Sequence, residues 1–189
     1  MSGMQPYEVL PFDSEHLVQL FASAASLPAE VIRDKDQVRY LLGYLGRLQA
    51  KTIVVEKKYI DRDFLEDFAG YYVRCFADYP RTCARLHFFD TSVSREAFDS
   101  VLQGTPQEVS IEDLRKSYLG FIVVKPLPET IVGRTCLKTY GNADGKHREY
   151  PTTQRCTAHL FGIDLEVWSV DFQEQDQVVA ACATSALWS

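Results

Sequence analysis

Long apolar runs are missing from this 189-residue chain. The longest, such as Gly120 to Val124, are the length of a strand and far short of the roughly 20 residues a membrane-crossing helix needs. Blocks of basic residues are missing too. Lysine and arginine number 20 against 26 acidic residues, giving a formal net charge of −6. Without a basic face to neutralise phosphates, nucleic acid is not an expected partner, and neither is a membrane. The opening Met1-Ser-Gly-Met-Gln-Pro6 has no basic n-region and no apolar h-region, so no signal peptide is expected. Five cysteines, an odd number without a secretion signal, read as reduced thiols of a cytoplasmic protein and not as a disulfide framework. The glycines at 133, 141, 145 and 162 are scattered, so no loop is placed to cradle a phosphate, and no cofactor is expected. There is no internal repeat and no low-complexity segment.

Aromatic side chains, by contrast, are plentiful, with 11 Phe and 10 Tyr, which argues against disorder. Asp13 or Ser14 caps a first helix with the stripe Leu17, Leu20, Phe21 and Ala24, and Pro28 interrupts it. Val38, Leu41, Leu42, Leu45 and Leu48 mark a second helix from about Asp34. Thr52 to Glu56 reads as a buried strand. Asp61 caps a helix that places Phe64, Phe68, Tyr71, Tyr72 and Cys75 on one side, most simply as core. Cys83 to Phe89 reads as a strand, and Ser94 to Gln103 as a helix closed by Gly104. Ser110-Ile-Glu-Asp113 resembles a capping box ahead of a strand from Leu119 to Lys125. Ile131 to Tyr140 reads as another strand. Arg155 to Phe161 and Ile163 to Phe172 read as a hairpin turning at Gly162. The expected class is α+β: a mixed sheet flanked by helices, then a strand meander and a C-terminal helical stub.

Three groups could carry chemistry. Cys136, His147, Cys156 and His159 are the residue types of a zinc site, but Cys156 and His159 stand three apart on a strand and face opposite ways. Cys75 and Cys83 lack CxxC spacing and read as core thiols. The third group is Gln175-Asp-Gln-Val-Val-Ala-Ala-Cys182-Ala-Thr-Ser-Ala-Leu-Trp188. A thiol becomes a nucleophile when its pKa falls, and a glutamine upstream can aim its amide at the developing oxyanion. The competing reading is structural: in a helix from Asp176, Val178, Val179, Cys182, Ala183, Ala186 and Leu187 form an apolar stripe in which Cys182 is packing.

This last segment, with the extended lead-in Leu165 to Phe172, resembles the start of a papain-like cysteine peptidase domain of the bacteriocin-leader-peptidase-like branch. The resemblance implies Cys182 as nucleophile and Gln175 as oxyanion donor, with Gln177 as the other choice because the spacing from Gln175 is slightly long. Ala183 departs from the glycine often found after the nucleophile. The resemblance also implies a His and an Asn or Asp partner beyond Ser189, so these 189 residues are expected to be inactive by themselves. His147 and His159 lie upstream, and no sequence signal sets either against Cys182. Residues 1–163, including Thr52 to Tyr59 and Tyr71 to Phe76, resemble the N-terminal region of bacterial proteins that carry such a domain, which residues 164–189 would begin. The implied partner is a peptide or protein substrate. The alternative function is a cytoplasmic protein-interaction module in which Cys182 is structural.

Overall fold

The computed structural model describes residues 5–76, 78–140, 149–170 and 172. Five strands form one sheet in chain order: β1 (Tyr7–Pro11), β2 (Thr52–Tyr59), β3 (Cys83–Phe89), β4 (Tyr118–Val124) and β5 (Val132–Leu137). The first three connections carry the helices. α1 (Ser14–Ala25), α2 (Ala29–Arg33) and α3 (Asp36–Arg47) join β1 to β2. α4 (Arg62–Gly70) joins β2 to β3, and α5 (Arg95–Leu102) with α6 (Ile111–Ser117) joins β3 to β4. A separate hairpin, β6 (Gln154–Leu160) and β7 (Ile163–Ser169), follows. The α+β class is as expected. Where alternation of strand and helix had suggested a mixed sheet, every pairing is antiparallel. Each strand pairs with its predecessor in the chain and runs against it, so the helical connections bring the chain back to the same end of the sheet and do not act as parallel crossovers. No helix of the described residues is long and apolar enough to cross a membrane.

Side-chain alternation seals both faces of the sheet. On one face Ile53, Val55, Leu86, Phe88, Ile122 and Val124 pack under α1, α2 and α3. On the other, Val54, Phe89, Phe121 and Val123 pack under Phe64 and Phe68 of α4, Phe98 of α5, Leu114 of α6 and the hairpin. Buried Cys156, Ala158 and Leu160 alternate with exposed residues along β6, as do Ile163, Leu165 and Val167 along β7. The bend between them is Phe161 (φ 49°) and Gly162 (φ 90°), both positive as a type I′ two-residue turn requires. The division expected after residue 163 therefore falls at the tip of this hairpin, whose two arms are hydrogen-bonded to each other.

Capping signals translate directly. Asp13, Asp61 and Ser94 accept hydrogen bonds from the backbone N–H three residues on, and Ser110 with Asp113 forms the expected capping box. The aromatic stripe is cut differently. α4 stops at Gly70 and a 3₁₀ turn covers Tyr72–Arg74, so Tyr72 is buried while Tyr71 is 41 % exposed and Cys75 half-buried. The tighter winding rotates those side chains away from the expected face.

Candidate functional site

Gln175, Gln177, Cys182, His147 and the expected helical stub from Asp176 lie outside the described residues. What is described is the platform leading to them. β7 supplies the extended lead-in, and two further contacts tie the chain to the open edge of β5. Lys138 bridges to Ser169, and Thr135 exchanges both backbone hydrogen bonds with Phe172, at 2.7 and 3.0 Å. Phe172 stands three residues before Gln175.

Beside this anchor, between α3 and β5, lies a cavity of about 400 Å³. Tyr40 and Tyr44 come from α3, Thr135 from β5, Tyr140 and Tyr150 from the segment after β5, and Phe172 also lines it. The rings are braced. Tyr44 meets Tyr140 edge-on at 4.7 Å, and Tyr40 lies 5.9 Å from Tyr44. The Tyr44 hydroxyl donates to the Lys138 carbonyl at 3.0 Å, and the Tyr150 hydroxyl donates to the Tyr140 carbonyl at 3.2 Å. Burial, with the neighbouring tyrosines, pushes the Tyr44 phenol well above its ordinary range. Nothing in the sequence marked these rings as neighbours, since α3 and the segment after β5 are far apart along the chain.

A second constellation lies on the opposite face, under the hairpin. Arg85 Nε donates to Glu56 Oε2 at 2.8 Å, and Arg85 Nη2 donates to the His159 carbonyl at 2.7 Å. The Arg85 guanidinium lies 4.0 Å from the centre of the Tyr59 ring and 5.6 Å from that of Phe121. Fully buried His87 shares a 3.0 Å hydrogen bond between Nδ1 and the Tyr118 hydroxyl. Its Nε2 stands 3.7 Å from Glu56 Oε2, too far for a direct hydrogen bond, and has no other partner among the described residues. Burial pushes the His87 imidazole down to about 4, so the ring is neutral near pH 7. Burial raises the Glu56 carboxyl, but His87 and Arg85 together outweigh this and hold it below its ordinary value. Burial also holds the Tyr118 phenol well above its ordinary range. Reading the strand Cys83 to Phe89 from sequence missed this cluster. Its signal was Arg85 and His87 two apart, hence on one face of a strand otherwise apolar.

Of the zinc-type residues, Cys136, Cys156 and His159 are described, and these three form no metal-holding group. Cys136 and Cys156 are buried in the core, whereas the exposed His159 ring bonds Asp164 Oδ1 at 2.6 Å. Among the described residues no three His, Cys, Asp or Glu side chains are grouped to hold a metal ion. Cys83 is buried as expected of a core thiol, and burial pushes it up to about 12. Comparison with known proteins gives no match to a family model, to a curated protein or to a solved structure.

Proposed function

We propose that this chain is the N-terminal region of a papain-like cysteine peptidase, with Cys182 as the nucleophile and Gln175 as the oxyanion donor. One observation carries the reading. The lead-in to the Gln175–Cys182 segment is fixed to the sheet edge at Ser169 and again at Phe172, and a catalytic group gains most from a rigid element beneath it. In the complete reaction the thiolate attacks a peptide carbonyl and expels the amine, and water then releases the acyl group. The Gln175 side-chain amide and the Cys182 backbone N–H would stabilise the oxyanion. Of the three described histidines, His87 is sealed in the core, His16 bonds the Pro11 carbonyl and pairs with Asp13, and the exposed His159 bonds Asp164. The reading places the protein in the cytoplasm, where thiols stay reduced.

A second reading, a protein-interaction module with a structural Cys182, is favoured by the exposure of Ile60, Leu65, Tyr71, Val73 and Phe76 in and around α4. Native-state alkylation separates the two. Cys83, Cys136 and Cys156 are buried, so a Cys75→Ser variant treated with iodoacetamide leaves Cys182 to be followed by peptide mapping. In the protein complete with its imidazole partner, the peptidase reading expects Cys182 to react faster at pH 7 than a free low-molecular-weight thiol, and to keep its rate as pH falls toward 6. A rate no faster than that of the free thiol refutes an activated nucleophile and leaves the module.

A further inference from the structure

We propose that the groove between α1 and the sheet end formed by Lys57, Thr82 and Pro126 binds an aliphatic carboxylate of the medium-chain fatty acid class, with its chain on the sheet and its carboxylate at Lys58. Such binding requires nothing of Cys182.

A bulge makes the site. Glu56 pairs with Arg85 and Tyr59 with Cys83, so Lys57 and Lys58 of β2 stand against Ala84 alone in β3. Past the bulge the alternation of β2 is inverted. Ile53 and Val55 pack under the helices, yet Tyr59 turns to the hairpin side, where its ring lies 4.0 Å from the Arg85 guanidinium. Lys57 and Lys58 are both left at the rim of a cavity of about 420 Å³, within the range of small-ligand sites. Its floor is the buried side chains of Val55, Val124 and Pro126, and Leu20 and Ala24 of α1 form one wall.

Charge selects the head group. Lys57 Nζ pairs with Glu8 at 3.0 Å, and Glu8 is the one carboxylate among the described lining residues. Exposed Lys58 has no hydrogen-bond or ion-pair partner among the described residues. An anion is therefore drawn to Lys58, and a cation is opposed by it. The floor selects the tail. Its strands are hydrogen-bonded to one another, so their backbone offers nothing to an added peptide strand. No aromatic ring is among the described lining residues, although the chain holds 11 Phe and 10 Tyr. Small branched side chains without rings leave a surface on which methylenes can be taken out of water.

The test is a titration of the intact chain with octanoate, kept below its micellar concentration and followed by amide chemical shifts. Saturable shifts are expected at Val55, Lys58, Ala84 and Val124, and none with octylammonium at the same concentrations. Hexanoate, shorter by two methylenes, should bind about fivefold to fifteenfold more weakly, because a buried methylene is worth up to about fourfold. Lys58→Gln should weaken octanoate binding about threefold to fivefold with an unchanged melting curve, the scale of an exposed ion pair. Lys116→Gln on α6, across the sheet, removes the same charge and should change nothing. Ala24→Met fills the groove from α1 without altering charge and should abolish binding. Shifts that rise without saturation, an equal response to octylammonium, or Lys58→Gln behaving as Lys116→Gln would each overturn the inference. So would a folded Ala24→Met that still binds octanoate; if that variant does not fold, Lys58→Gln decides. Tighter binding of acetyl-alanyl-leucine than of octanoate would overturn it in favour of a peptide carboxyl terminus.

Discussion

His87 holds a titratable ring in a site where it cannot be charged cheaply. Its folded value of about 4 lies below the ordinary 6.5, so the unfolded chain takes up the proton first. The neutral ring therefore favours the folded form above about pH 6.5, and that preference is lost as pH falls toward 4. The loss amounts to about 3 kcal/mol across the range. Glu56 acts in the same direction at lower pH, since its carboxyl is held low by His87 and Arg85 and its contribution disappears once it is protonated. Urea midpoints measured from pH 8 to pH 4 should stay level at first and then decline. His87→Phe removes the titrating ring, so its curve should be flatter between pH 6.5 and 4 whatever its starting level. An unchanged slope in that variant would assign the acid sensitivity elsewhere.

Strand β4 is buried along its whole length and carries a bulge. Phe88 pairs opposite Gly120 and Phe89 opposite Tyr118, which leaves Leu119 as an extra residue in a bulge. Gly120 has φ +118°, and a Cβ there would meet the Cys136 carbonyl oxygen at 2.0 Å. Gly120→Ala thus combines a backbone setting that side chains rarely adopt with a collision against β5. The expected outcome is loss of soluble folded protein, or a fall in stability of at least about 3 kcal/mol by chemical denaturation. A mild effect would mean that β5 can move away from β4. The bulge was not legible in the sequence. β4 is buried along its whole length, so it shows no alternation from which an extra residue could be read. Helix starts were legible because Asp13, Asp61, Ser94 and the Ser110–Asp113 pair act within one turn. Strand direction was not, because it depends on where a chain returns after a helix. The same contrast holds for the sites. Gln175 and Cys182 stand out by residue type and spacing, whereas Glu56, Arg85, His87 and Tyr118 come together from three strands, and only the folded sheet makes them neighbours.

At the scale of the molecule, one sheet serves two cores, and Cys83, Cys136 and Cys156 all belong to the core beneath the hairpin. Their thiols should react with iodoacetamide together, in step with loss of the circular dichroism signal as urea is raised. Earlier labelling of Cys156 alone would show the hairpin lifting as a separate unit. The corner of that hairpin also bears on this. Phe161 takes a backbone setting that phenylalanine seldom adopts, and its ring rests 5.0 Å from that of Tyr7 on β1. Asparagine would relax the corner and release the ring, two opposed effects from a single codon. The bend is thus a clasp as much as a turn, trading local ease for a hold on the far border of the sheet.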